Sequence, residues 1–118
     1  MTAVFGQYSN FYYITLDLMA PRGGYVYFVS NRHRTVLYCG VTSILYSRAY
    51  EHKNGEGGVF SSRYNCTDLV YFEYYDSIEA AIEREKQLKK WKRAWKEELI
   101  QKMNPEMKDL FPEIEEMQ

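Results

Sequence analysis

The chain has 118 residues, 46% apolar and 26% charged, with a formal net charge of −1. That length holds one core rather than two, in the proportions of a folded globular chain. No apolar run approaches the ~20 residues of a membrane span, the start carries no secretory signal, and Cys39 and Cys66 lack metal-site spacing, which together point to a cytoplasmic protein.

Residues 1–22 are expected to be an N-terminal extension, weakly ordered or contributing an edge strand through Phe11–Leu16. Two aromatic and β-branched runs, Tyr25–Ser30 and Val36–Val41, then read as strands around the turn-like Asn31-Arg32-His33-Arg34-Thr35. Alternation puts Tyr25, Tyr27 and Val29 on one face and Val26 and Phe28 on the other. In the second strand Tyr38 and Gly40 share a face opposite Cys39 and Val41. Gly40 has no Cβ, so a ligand or another chain segment is able to approach there. A helix follows, with Ser43 as the expected N-cap. Its stripe Leu45, Arg48, Ala49, His52 places an arginine and a histidine where apolar residues belong. Two tyrosines, Arg48 and His52 beside a bare glycine make a site-like group, although tyrosines are common in strands and an arginine can simply snorkel.

The glycine-rich segment 54–58 leads to a loop in which Phe60, Arg63 and Tyr64 either meet nucleic acid or tack the loop down. Asp68–Tyr75 reads as a third strand, apolar on both faces and so expected to be central. Ser77 caps a second helix whose apolar stripe, Ile78, Ala81, Ile82 and Leu88, includes Glu85. A carboxylate facing the sheet needs a cation or a metal; a buried pair with Arg48 is the plain alternative. Lys89, Lys90, Lys92 and Arg93 follow, interleaved with Trp91 and Trp95. Such a run is either a solvated surface or a grip on a phosphate backbone. Arg93–Met103 reads as a further helix stopped by Asn104-Pro105. The tail from Pro105 carries five acids against Lys108 alone; removing it leaves a mildly basic body. Its Leu110, Phe111 and Ile114 offer a means of docking, and its charge offers a protein contact or a competitor for DNA.

Tyr25-Val26-Tyr27, then after ten intervening residues Tyr38-Cys39-Gly40, then Arg48 eight beyond the glycine, resembles the signature of GIY-YIG nucleases. Most similar are the small stand-alone members related to the nuclease domain of the excinuclease C subunit. Tyr25 stands where the first triplet has glycine, a position without a chemical role. The resemblance covers about residues 24–100. It implies an α+β fold, a small three-stranded mainly antiparallel sheet flanked by helices, spanning residues 23–103 between the extension and the acidic tail 104–118. It also implies metal-dependent hydrolysis of DNA phosphodiester bonds. On that reading Tyr27 and Tyr38 orient and deprotonate water, with His52 an alternative base, Arg48 neutralises phosphate oxygens, and Glu85 holds Mg²⁺ or Mn²⁺. Gly40, Arg48, Arg63, Lys89, Lys90, Lys92 and Arg93 would line the DNA, whether branched, nicked or single-stranded. A non-cutting nucleic-acid binder and a protein-interaction domain are the alternatives; neither needs Glu85. For a nuclease, Tyr27, Tyr38, Arg48, His52 and Glu85 are expected around one concave surface.

Overall fold

The computed structural model describes residues 23–117; the expected N-terminal extension lies outside the described residues. Three strands, β1 (Gly24–Ser30), β2 (Leu37–Thr42) and β3 (Asp68–Tyr75), form one antiparallel sheet in the order β2-β1-β3. The fold is therefore α+β, with five helices around the sheet among the described residues: α1 (Leu45–Lys53), α2 (Val59–Arg63), α3 (Ile78–Lys89), α4 (Arg93–Met103) and α5 (Phe111–Glu116).

Alternation along β1 sends its side chains into two cores, one on each side of the sheet. Tyr25, Tyr27 and Val29 pack with Leu45 and Ala49 of α1 and with Leu110 and Ile114. Val26 and Phe28 pack with Ala81 and Leu88 of α3 and Ile100 of α4. Every residue of β1 is buried, and β1 is the central strand. The expectation of a central β3 is corrected: β3 is covered on both faces but lies at an edge. The C-terminal segment closes part of that edge. Leu110 donates its N–H to the Leu69 carbonyl at 2.7 Å, and Asn104 donates its side-chain amide to the Val70 carbonyl at 2.9 Å.

The caps differ in one place from the sequence expectation. Ser77 Oγ accepts the Ala80 N–H at 3.2 Å, as an N-cap should. Ser43 does not cap α1, which starts at Leu45 after Ile44; Thr42 Oγ1 instead accepts the Ile44 N–H at 3.1 Å. The tail is tied down as well. Leu110 and Ile114 are buried, Phe111 stacks on Tyr46, and Asp109 accepts from Lys53 and from the Leu69 N–H.

Candidate active site

β1 and β2 pair with Tyr27 opposite Gly40. A Cβ on Gly40 would run into the Tyr27 hydroxyl. The bare backbone there makes room for the tyrosine ring, and the expectation of an open approach for DNA at Gly40 is corrected: Gly40 is buried under Tyr27.

With Tyr27 so placed, its hydroxyl lies 2.9 Å from His52 Nε2, and both residues are buried. Burial pushes the Tyr27 hydroxyl well above the usual tyrosine range, an effect the nearby Arg48 partly opposes. Burial, helped by Arg48, lowers His52 to about 4, so its imidazole is neutral at pH 7. His52 Nδ1 has no hydrogen-bond partner among the described residues and is backed by the bare backbone of Gly57. Tyr38 is only half-buried; its ring lies 5.8 Å from His52 and 5.8 Å from Phe60, with which it stacks at 26°. Phe60 thus covers Tyr38 and is still about half-exposed itself. Arg48 sits on the rim of this group and pairs with Glu51 at 3.1 Å.

Glu85 reaches the site from elsewhere. Because Ala81 and Leu88 must fill the core on the Val26 and Phe28 side, α3 lies across the sheet from α1. The expectation that Tyr27, Tyr38, Arg48, His52 and Glu85 gather around one concave surface is corrected accordingly: Glu85 comes from the helix on the opposite side of the sheet. β2, however, is an edge strand, and Lys89 spans its edge: its ammonium is 3.0 Å from Glu85 Oε2 and 5.9 Å from the centre of the Tyr38 ring. Glu85 also adds to the burial that pushes the Cys39 thiol on β2 up to about 12. The candidate site is therefore folded over the edge of β2, with the Tyr27–His52 pair, Tyr38 and Arg48 on one side and Glu85 with Lys89 on the other. The simple Arg48–Glu85 pair is not formed.

Of the basic residues expected to meet DNA, Arg63 is exposed beside the Tyr64 ring, Lys90 is exposed, and Lys92 lies over Trp95. Arg93 departs from expectation. Its guanidinium donates to the carbonyls of Thr35 and Arg34 at 2.7 and 2.6 Å and to Glu97 at 2.9 Å, which fastens the β1–β2 turn rather than facing a ligand. Asn104 is likewise structural, buried at the end of α4 with its amide on Val70 and Lys108. Sequence reasoning missed the contact of Lys89 with both Glu85 and Tyr38. The i,i+4 spacing to Glu85 was its signal; the reach over β2 had none.

The Glu85 carboxylate supplies the hard oxygen donors a divalent ion takes, and that ion must displace the Lys89 ammonium now resting on it. Mg²⁺ keeps several waters and is held by one or two carboxylates together with substrate phosphate oxygens. No group of three or more His, Cys, Asp or Glu side chains able to hold a metal occurs among the described residues. The donor set fits an ion shared with substrate, not a closed protein cage. No described helix is long and apolar enough to cross a membrane.

The family model for the GIY-YIG catalytic domain matches residues 23–98. A UPF0213 protein of Natronomonas pharaonis is 40% identical over 76 residues, covering 64% of this chain and 88% of the relative. A UPF0213 protein of Syntrophus aciditrophicus is 39% identical over 83 residues, covering 70% and 93%. No solved structure matches the chain. The match extends over both triplets, Arg48 and Glu85, and the chain belongs to the GIY-YIG catalytic domain family.

Proposed function

We propose that this chain is an endonuclease that hydrolyses DNA phosphodiester bonds with one divalent cation held at Glu85. Membership in a nuclease superfamily supports the reaction class. What supports the reading is the contact of Lys89 with both the shielded Glu85 carboxylate and the Tyr38 ring, which itself packs on His52 of the Tyr27–His52 pair.

In-line hydrolysis requires a proton acceptor for the water, positive charge around the phosphoryl oxygens, and help for the departing oxygen. Tyr38 is the less buried of the two tyrosines, so it is the one that meets and deprotonates the water. Tyr27 and neutral His52 stand behind it and fix the geometry of that side. Arg48, on the rim, takes the phosphoryl oxygens; its pairing with Glu51 is exposed enough to open without large cost. A divalent ion bound at Glu85 would supply the charge that the departing oxygen needs. The new bond joins the water oxygen to phosphorus and the bond to the leaving oxygen breaks; the water proton passes to the Tyr38 oxygen, which takes part as the phenolate after releasing its own proton to solvent, and the leaving oxygen takes a proton from solvent.

Incubation with a panel of end-labelled DNA structures, with and without Mg²⁺ or Mn²⁺, tests this. Metal-dependent cleavage of at least one structure is expected. Binding without cleavage on every structure and with either metal would overturn it in favour of a binding module.

A further inference from the structure

We propose that Lys89 is a resident counter-ion that holds Glu85 while the metal is absent and yields that carboxylate when a divalent cation binds. This rests on the reading of Glu85 as the carboxylate that holds the metal.

Helical ion pairs at i,i+3 or i,i+4 are ordinary on exposed surfaces, and α3 and α4 each carry another such pair. Glu83 pairs with Lys86 at 4.0 Å and Glu97 pairs with Arg93 at 2.9 Å, with the carboxylate side chains 78% and 39% exposed. Glu85 differs because its side chain is 15% exposed, while Lys89 remains 50% exposed. A shielded carboxylate left alone costs free energy, so in the metal-free protein it needs a cation. Lys89 supplies one at 3.0 Å. In the same position the ammonium lies 5.9 Å from the centre of the Tyr38 ring, and its long flexible stem lets it move off the carboxylate toward that ring. Lysine suits an exchangeable position because its ammonium is a point charge on a flexible chain. An arginine would grip the carboxylate with two parallel hydrogen bonds and release it less readily.

In this arrangement Lys89 is a positioning residue. It keeps Glu85 aimed at the strand edge and competes with the ion for it.

The test measures Mn²⁺ binding to the intact chain without DNA, from the EPR signal of the free ion. Lys89→Gln removes both the competing partner and the repulsion between ammonium and ion. Mn²⁺ affinity should rise about five- to tenfold, while Lys89→Arg should lower it. Glu85→Gln should abolish the site. Should the wild-type chain bind too weakly to register, Lys89→Gln must bring binding into range. Unchanged or weaker Mn²⁺ binding by Lys89→Gln would overturn the proposal, because Lys89 would then be a passive surface pair or a support for the ligand. Because the half-exposed Lys89 has no part in the core, both variants should melt within a few degrees of wild type; if Lys89→Gln fails to fold, Lys89→Arg decides alone. A chain that binds Mn²⁺ as described yet cuts no DNA would sink the nuclease reading and leave the exchange standing.

Discussion

His52 donates to or accepts from the Tyr27 hydroxyl at 2.9 Å, is 1% exposed, and has an unpaired second nitrogen among the described residues. The folded chain refuses a proton on that ring until about pH 4, whereas an unfolded chain accepts one near the ordinary value of 6.5. Between those values only unfolding takes up the proton. Stability from this group is fully present above pH 6.5 and is lost as the pH falls towards 4, by about 3 kcal/mol. Urea unfolding at pH 7 and pH 4 should show that loss, and His52→Gln should remove most of it; a flat wild-type profile would contradict the buried neutral imidazole. Tyr27→Phe keeps the ring under Gly40 but leaves both nitrogens of His52 without a partner. It should cost about 1–3 kcal/mol, read as a melting temperature several degrees lower.

Among the elements, those whose apolar pattern is local were legible in the sequence. β3 and α4 run over the residues expected, and Glu85 lies on the stripe of α3 between Ala81 and Leu88 as its spacing required. What was not legible depends on which elements meet. β3 reads as central because both its faces are apolar, yet it is an edge whose open side is partly capped by residues about forty positions later. Periodicity along α3 gives no account of which side of the sheet the helix covers, so the folding of the site over β2 was hidden. Glu73 is a further case, a carboxylate inside the apolar run DLVYFEYY. It is 2% exposed and accepts from Tyr71, from Tyr75 at 2.8 Å and from Arg84 at 2.6 Å, so it welds α3 to β3. Glu73→Ala would leave Arg84 facing a buried gap, and a loss of about 3–5 kcal/mol is expected. Thermal unfolding measures it; a shift of only a degree or two would show that the network contributes little.

For the molecule as a whole, the C-terminal tail is part of the core. Deleting residues 105–118 would remove Leu110 and Ile114 from the Tyr25 and Val29 side and uncover the edge of β3. Each such side chain contributes about 2–5 kcal/mol when buried, against the roughly 5–15 kcal/mol that holds a small domain together. The truncated chain should therefore lose its cooperative melting transition rather than simply bind DNA more tightly. A truncation that still melts sharply near the wild-type temperature would contradict this packing. The central claim is that a carboxylate brought over the edge of β2 completes a hydrolytic site. Glu85→Gln keeps the shape of that side chain and removes its charge, and cleavage and DNA affinity measured together on this variant test the claim most directly. Cleavage should fall to background while affinity holds or tightens slightly, because on the proposed reading Arg48, Lys89, Lys90 and Lys92 would still attract phosphate. A Glu85→Gln protein that cuts at the wild-type rate with its metal requirement intact would contradict the account.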